Sequence, residues 1–520
     1  MKRAVLLVMI ITVLSKVVGF IREIALSYVY GASAITDAYL IAQTIPTTIF
    51  SFVSAGVATG FIPMYSRIRQ ENGIAGADSF TSNLSNLLLL ISTIVVALVL
   101  SFTPWVVKLF ASGFSGETLA LAVVFTRITV FGVYFTAVLS VCTGYLRIHE
   151  RYWVAALVGF PMNLITICSL FLSTKTSIYV VALGSLLATA SQLIFLTPFL
   201  CKLGYRHQPV LTLNDTYLKE MFFLAFPVIL GTSVNEINVL VDRTMASSVV
   251  VGGISALNYA RRLNTFVQGL VVTSLTTVMY PVISKMAAEN NMEGLKRKTT
   301  EAMSAVVLLI LPASVGAMLF AEEIVGLLFG RGAFTAEAIT MTGNALFYYS
   351  IGMLAFGLRD ILSRAFYALH DSRTPMINAT VAVVLNIALN IILSRYMGIA
   401  GLALATSISA IVAVVLLLAS LREKIGGLGL WVFGKSLVKI IVASVVMGGT
   451  ASATFRSLKV SLGQELSLMI SIAIGAAVYG VLIYFFRIPE VEQTLVAVKT
   501  RLRAGAGAKL KRDCEERNRY

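Results

Sequence analysis

Long runs of apolar residues, each bounded by charged residues, glycine or proline, recur along almost the whole chain. A run of about 20 apolar residues is long enough to cross the hydrocarbon core of a bilayer as an α-helix. Such runs lie at 4–30, 35–66, 82–110, 119–147, 153–173, 178–202, 220–248, 255–285, 299–321, 336–368, 375–394, 399–421, 434–455 and 465–487. The pattern predicts an all-α polytopic membrane protein with about fourteen transmembrane helices.

The composition excludes most other classes of protein. Of the 520 residues, 58% are hydrophobic and 13% are charged, whereas a soluble domain has about 25% charged residues. The net charge of +16 therefore does not indicate nucleic-acid binding, because Lys and Arg also collect in cytoplasmic loops. Their distribution predicts that both termini are cytoplasmic. The chain has no Gly-rich loop between a predicted strand and a predicted helix, which is the setting of a nucleotide-binding phosphate loop, so we do not expect ATP to be a partner.

Short motifs repeat at an offset of about 220 residues. Arg22-Glu23 corresponds to Asp242-Arg243, and His149-Glu150 corresponds to His370-Asp371. Six predicted spans separate the copies, so the two halves have the same topology and are related by a pseudo-twofold axis along the membrane normal. The predicted domains are two six-helix lobes, two further helices and a basic cytoplasmic tail, at 1–215, 216–425, 426–487 and 488–520.

Charged residues inside the predicted spans cluster at the start of each half. An ionisable residue in a membrane span is costly unless it faces the interior of a bundle or a water-filled cavity. The cluster therefore predicts a cavity between the halves with net positive charge and an anionic ligand, such as a phosphate. Charges that reach the membrane surface, or that form intramembrane salt bridges, are the alternative. The residues are Lys16, Arg22, Glu23, Asp37, Asp242, Arg243, Arg261 and Arg262.

A second group consists mainly of neutral oxygen donors. Asn386 and Asn390 are four residues apart and share one face of their predicted helix, Thr406 lies in the next helix, and Asp242 adds a carboxylate. Such donors suit a small hard cation such as Na⁺. Hydrogen bonds between helices, which Asn and Thr commonly form in membranes, are the alternative.

Several motifs together resemble the MviN/MurJ-type lipid II flippases of the MOP exporter superfamily. The resemblance extends over roughly residues 1–485 and implies fourteen helices in two six-helix lobes plus two C-terminal helices. The motifs are SKVVGFIRE at 15–23, TDAYLIA at 36–42, FIPMYS at 61–66, NYARRL at 258–263, RGAFT at 331–335, SRAFYALHDSRTP at 363–375 and GIAGLALATSIS at 398–409.

The resemblance implies a transporter, not an enzyme, in the bacterial cytoplasmic membrane. Its substrate would be the undecaprenyl-diphosphate-linked peptidoglycan precursor, moved from the inner to the outer leaflet. Membrane lipids and cell-wall synthesis proteins are the other implied partners, and Na⁺ is the only implied cofactor. The implied substrate-binding residues are Lys16, Arg22, Asp37 and Arg262. The implied Na⁺ ligands are Asp242, Asn386, Asn390, Thr406 and the backbone carbonyl of Leu402.

Some positions depart from the pattern of the family. Phe50 occupies the place of a cavity arginine, Ala55 that of a glutamate, and Asn390 that of an aspartate. These departures leave open an exporter of another polyprenyl-linked glycan or of a small molecule. A membrane-embedded glycosyltransferase is a further alternative, but it requires a carboxylate pair or metal-binding acids in a sizeable loop, and no predicted loop is long enough.

Overall fold

The computed structural model describes residues 2–427 and 430–488, and within them every regular element is an α-helix. This confirms the predicted all-α class. The helices are α1 Lys2–Tyr30, α2 Ala34–Ser101, α3 Thr103–Phe110, α4 Gly116–Thr129, α5 Gly132–Ile148, α6 Tyr152–Leu157, α7 Gly159–Ser173, α8 Tyr179–Lys202, α9 Thr216–Val249, α10 Gly253–Ala288, α11 Met292–Leu319, α12 Ala321–Phe329, α13 Ala336–Ala368, α14 Arg373–Ile425, α15 Leu430–Leu462 and α16 Gln464–Phe485.

Two of these helices are interrupted at a glycine. In α2 the backbone leaves the helical region at Gly73 (φ 71°, ψ −173°), and in α14 it does so at Gly398 (φ 57°, ψ −131°). A straight helix of the length of α2 would extend about 100 Å at 1.5 Å per residue, roughly three times the thickness of the hydrocarbon core. Each of the two helices therefore contains two segments joined by a turn.

Within the described residues, nine helices are long and apolar enough to cross a membrane, or eleven if two bent helix pairs each form one span. Separating α2 and α14 at their breaks and including α1 would bring the number of long segments to fourteen. Large apolar side chains on these helices are exposed, for example Leu187 at 61% and Ile194 at 70%, as expected for surfaces that contact lipid. The polytopic membrane class is confirmed, and the number fourteen stays a prediction.

A proline in α2 leaves a backbone carbonyl that the helix itself cannot pair. Pro46 has no N–H, so the carbonyl of Ala42, four residues earlier, loses its partner within the helix. The hydroxyl of Thr129, at the end of α4, donates to this carbonyl at 2.7 Å. A side chain of a neighbouring helix thereby satisfies a buried acceptor of α2.

The helices form two compact units. The first contains the described residues up to Phe266 together with Ile324–Tyr349 and Ala379–Ser409. Its main apolar core joins α2, α5 and α8 and includes Phe50, Phe61, Tyr145 and Leu196, each at most 1% exposed. Phe50, at the position where the resemblance implies a cavity arginine, thus packs in this core.

The second unit contains Val267–Glu323, Ser350–Asn378 and the described residues from Ala410 onward. Its main core joins α11, α13, α14 and α15 through buried residues such as Val306 and Phe366. These two units are defined by packing and not by the sequence repeat. They do not test the four predicted domains, which stay a prediction. Of the predicted tail at 488–520, only Ile488 lies within the described residues.

Candidate functional site

The first unit contains a polar cavity of about 360 Å³ between α2, α9, α10 and α13. Threonines of α2 form one wall, and the charged side chains come from α9 and α10. Three arginines face two carboxylates, so the lining carries net positive charge. The first half of the sequence contributes threonines to the lining and the second half contributes all of its charged residues, whereas the charge pattern predicted charged residues from both halves. The polar and charged lining residues are Thr44, Thr47, Thr48, Glu236, Asp242, Arg243, Asn258, Arg261, Arg262, Thr265 and Tyr349.

Glu23 of α1 joins two of the predicted substrate-binding arginines. Its Oε1 lies 2.8 Å from Nη2 of Arg22 and 3.3 Å from Nε of Arg262, and Asn258 donates to its Oε2 at 3.2 Å. The side chain of Glu23 is 4% exposed, that of Arg22 is 16% exposed and that of Arg262 is 49% exposed. The structure therefore brings Arg22 and Arg262 together through one buried carboxylate, and only Arg262 lines the cavity.

Asp37 is buried near the start of α10 and does not line the cavity. Its Oδ2 accepts from the backbone N–H of Gly252 at 2.7 Å, and its Oδ1 accepts from the N–H and hydroxyl of Ser255 at 2.7 and 2.8 Å. A carboxylate is favourable here because the first N–H groups of a helix have no partner within the helix. Asp37 thus fixes the start of α10, a role different from the predicted contact with substrate.

Gly252 permits this arrangement. Its φ is +81°, and a Cβ at this position would lie 2.5 Å from the carbonyl oxygen of Ala32. Both the left-handed backbone and the close approach require glycine. The structure thereby connects the loop between α1 and α2 to the start of α10.

Lys16 lies on α1 seven residues before Glu23 and is exposed. It does not line the cavity. Of the four residues that the resemblance implied for substrate binding, the structure places Arg262 in the cavity, Arg22 behind it, Asp37 at the start of α10 and Lys16 on an exposed part of α1.

The five predicted Na⁺ ligands form one chain of hydrogen bonds. The side-chain amide of Asn390 donates to Oδ1 of Asp242 at 2.7 Å and to Oδ1 of Asn386 at 2.9 Å. Asn386 in turn donates to the hydroxyl of Thr406 at 3.4 Å, which donates to the carbonyl of Leu402 at 2.9 Å. The chain crosses from α9 to both segments of α14, so the sequence grouped these residues correctly.

This chain is buried and keeps one polar atom without a partner. Asp242, Asn386 and Asn390 are at most 8% exposed. The Oδ1 of Asn390 has no hydrogen-bond partner among the described residues, which is costly for a buried acceptor. A carboxylate, amide oxygens, a hydroxyl and a backbone carbonyl are the ligand types of hard cations. The residues present therefore fit a small cation such as Na⁺.

Three charged residues of the cavity were not among the predicted site residues. Glu236 accepts from the Thr48 hydroxyl at 3.1 Å, Arg243 donates to the Leu40 carbonyl at 3.2 Å, and Arg261 lines the wall with them. Arg243 and Arg261 belong to the intramembrane charge cluster read from the sequence. Glu236 lies in the middle of the apolar run at 220–248, which also contains Glu220 and Asp242, and an acid at that place is a sequence signal of a functional site.

Comparison with known proteins extends over nearly the whole chain. The family model described as "Lipid II flippase MurJ" matches residues 26–492. A protein of Thermotoga maritima named "Probable lipid II flippase MurJ" is 30% identical over 487 residues, which cover 93% of this chain and 96% of that protein. One from Buchnera aphidicola with the same name is 29% identical over 84% of this chain and 86% of that protein.

Solved structures give the same result for the fold. A lipid II flippase MurJ in an inward closed conformation matches with a TM-score of 0.80 and 28% identity, covering 93% of this chain and 99% of that one. An inward-facing multidrug resistance MATE transporter of the MOP superfamily has a TM-score of 0.68 at 17% identity, which shows a shared fold. The sequence motifs, the helical membrane fold and the extent of these matches establish that the chain belongs to the lipid II flippase MurJ family.

Proposed function

We propose that this protein moves lipid II, the undecaprenyl-diphosphate-linked peptidoglycan precursor, from the inner to the outer leaflet of the bacterial cytoplasmic membrane by alternating access. Membership of the flippase family carries the proposal, and the net positive cavity supports it. Guanidinium groups bind the oxygens of a diphosphate through paired, charge-assisted hydrogen bonds. Transport of this kind makes and breaks no covalent bond.

Arg262 is the residue best placed to bind the diphosphate. It lines the cavity and is half-exposed, while its Nε contacts the buried Glu23. An arriving diphosphate competes with Glu23 for this guanidinium. Arg22 remains to neutralise Glu23 after Arg262 has turned to the substrate, because it forms the shorter contact and is more deeply buried. We infer that Arg243 and Arg261 complete the anion site.

The same proposal assigns different roles to the remaining predicted residues. Asp37 acts at a distance, since its bonds to Gly252 and Ser255 hold the start of the helix that carries Arg262. Lys16 acts before the substrate enters the cavity. It is an exposed positive charge on α1 that attracts the anionic headgroup of the substrate.

We propose Na⁺ as the ligand of the buried chain that starts at Asp242. Asp242 would supply the negative charge, and Asn386, Asn390, Thr406 and the Leu402 carbonyl would supply neutral oxygens. A bound cation would neutralise a carboxylate that is 8% exposed. The site adjoins the flippase cavity because Asp242 belongs to both.

We further propose that both termini are cytoplasmic, as the distribution of basic residues suggests. Membrane lipids surround the exposed apolar helices, and cell-wall synthesis proteins that make or use lipid II are the expected protein partners. No nucleic acid or ATP takes part in the proposed cycle.

Complementation tests the proposed function. The gene is expressed in a bacterium whose own lipid II flippase can be depleted, and growth after depletion is measured. We expect growth with the native protein, loss of growth with Arg262→Ala, and normal growth with Arg67→Ala. Arg67 is a matched control because it is half-exposed and paired to Glu71 and Glu220, outside the cavity. Membrane levels of each variant are measured by immunoblot.

Failure of the native protein to support growth, at normal membrane levels, would contradict the proposal. It would favour the alternative of an exporter for another polyprenyl-linked glycan. The buried apolar Phe50 and the small Ala55 are the residues that favour this alternative, since they stand where the family resemblance implies charged residues.

A further inference from the structure

A second cavity of about 350 Å³ lies in the first unit between α2, α5 and α8. It shares no lining residue with the cavity that contains Arg262. Its inner walls are apolar and include Leu89 of α2, Val138 of α5 and Leu193 of α8. The flippase mechanism does not use it. Its volume lies at the small end of the range for ligand pockets, so it would admit a single chain and not a whole lipid.

The cavity changes from apolar to polar along its length. Near the end of α8 the lining residues are Tyr145, Tyr205 and His207, and the Tyr205 hydroxyl lies 3.2 Å from Ser82 Oγ and 3.4 Å from His207 Nδ1. From Cys201 back to Leu193 the cavity follows eight residues of α8, about 12 Å at 1.5 Å per residue. One end is thus polar and the other is hydrocarbon-like.

The cavity opens on a surface that contacts lipid. Thr197 and Cys201 line it and are exposed. They follow Ile194 by three and seven residues, so the three side chains lie on one face of α8. Leu187 precedes Ile194 by seven residues, or two helical turns, and therefore lies on the same face. Leu187 is 61% exposed and Ile194 is 70% exposed. A hydrocarbon chain from the bilayer can therefore reach the opening.

Basic residues lie beside the polar end. Lys202 ends α8, and Arg206 and His207 follow in the next loop; all three are exposed. Clustered Lys and Arg at a membrane surface attract anionic lipid headgroups. We propose that this cavity binds one hydrocarbon chain of an anionic phospholipid, whose phosphate lies against Lys202 and Arg206. This binding site is independent of the proposed flippase function.

Cys201 reports occupancy of the cavity directly. The purified full-length protein in detergent is treated with N-ethylmaleimide, and modification of Cys201 and Cys168 is followed by mass spectrometry. Both thiols are exposed, but only Cys201 lines the cavity, so Cys168 is the internal control. Phosphatidylglycerol or phosphatidylcholine with identical acyl chains is added at increasing concentration.

We expect phosphatidylglycerol to slow modification of Cys201 at about tenfold lower concentration than phosphatidylcholine, because two basic residues each favour the anionic lipid. Modification of Cys168 should not change. Lys202→Gln combined with Arg206→Gln should remove the difference between the lipids. Thr197→Trp should block the opening, whereas Leu187→Trp, on the same face but outside the cavity, should not.

Three results would overturn the proposal. Equal slowing by the two lipids would show that charge plays no part. Slowing by glycerol phosphate alone would assign the basic end to a free phosphate. Unchanged protection in Thr197→Trp would show that the chain does not enter the cavity. Thermal unfolding of each variant shows whether it is folded. If Thr197→Trp does not fold, the double variant Lys202→Gln and Arg206→Gln still tests whether the basic residues select the anionic lipid.

Discussion

The guanidinium groups of Arg22 and Arg262 contact the same carboxylate oxygen, Oε1 of Glu23, at 2.8 and 3.3 Å. Their exposures differ, since Arg22 is 16% exposed and Arg262 is 49% exposed. An ion pair with a half-exposed partner is weak, whereas removal of the buried partner leaves an uncompensated buried charge. Arg22 therefore stabilises Glu23, and Arg262 is able to exchange partners.

Alanine substitutions should separate these two roles. We expect Arg22→Ala to lower the free energy of unfolding by about 2–4 kcal/mol and to reduce flipping. Arg262→Ala should abolish flipping while lowering stability by no more than about 1 kcal/mol. Thermal unfolding in detergent and complementation give the two measurements, with Arg67→Ala as control. Equal losses of stability in the two variants would contradict this division.

Glu236 limits how strongly the cavity attracts anions. Glu236→Gln removes one of two cavity carboxylates, so we expect binding of inorganic pyrophosphate to strengthen several-fold, measured by calorimetry at low salt. Thr48→Val is the matched control because it removes only the hydrogen bond to Glu236. If Thr48→Val strengthens binding as much as Glu236→Gln does, the charge of Glu236 is not the cause.

The sequence predicted the buried chain that begins at Asp242 better than the lining of the cavity. Asn386 and Asn390 were grouped correctly because a four-residue spacing on a helix fixes their contact. Asp37 was assigned to substrate binding through the family resemblance, but its bonds to Gly252 and Ser255 depend on a distant helix start that no local pattern predicts. Glu236 carried the signal of an acid in an apolar run, but its contact with Thr48, 188 residues away, is not readable from the sequence.

Sodium should stabilise the protein through the chain that begins at Asp242. A ligand at ten times its Kd adds about 1.4 kcal/mol to the free energy of unfolding. We expect a sodium-dependent rise in Tm that Asp242→Asn eliminates. Asn390→Asp should enlarge it, since a second carboxylate strengthens attraction for a cation and destabilises the cation-free site by repulsion.

Asn378→Asp is the matched control for the sodium experiment. Asn378 is a buried amide of the same helix and donates to Ser420, so a carboxylate there should lower stability without a sodium response. If native protein and Asn390→Asp are both insensitive to sodium relative to potassium, the chain serves as hydrogen bonds between helices.

Gly252→Ala should destabilise the start of α10. The positive φ and the 2.5 Å approach to the Ala32 carbonyl together predict a loss of about 1–3 kcal/mol, seen as a lower Tm. Gly449→Ala is the control, because a Cβ there meets nothing within 4 Å among the described residues and alanine favours a helix. A Tm for Gly252→Ala at or above the native value would contradict the geometry.

Asp371, in the turn between α13 and α14, contributes to the free energy of unfolding by an amount that depends on pH. The hydrogen bond from Lys424 and two from Thr374 lower the pKa of this carboxyl to about 2. Since the unfolded pKa is about 3.9, the contribution is complete above that pH and disappears as the pH falls through about 2. Asp371→Asn should lower Tm at pH 6, and the difference from native protein should shrink at pH 3. The exposed neighbour Glu423→Gln should show neither effect.

The fold was predictable as a class because apolar runs of membrane length require helices. The positions of most segments followed from the same pattern. The turns at Gly73 and Gly398 fall between separate predicted spans, whereas the bent pair α4 and α5 lies within the single apolar run at 119–147. Periodicity does not distinguish one bent span from two elements, so one predicted span at 119–147 corresponds to two helices, α4 and α5.

The bond from Thr129 to the Ala42 carbonyl has a mechanical consequence. A helix that bends at an ordinary position must stretch or break a backbone hydrogen bond, but α2 has none to lose at Pro46. Its acceptor is tied to a hydroxyl 87 positions further along the chain. The bending stiffness of α2 at this point is therefore set by how freely the end of α4 follows it, and Thr129→Val would change the compliance of one helix by altering another.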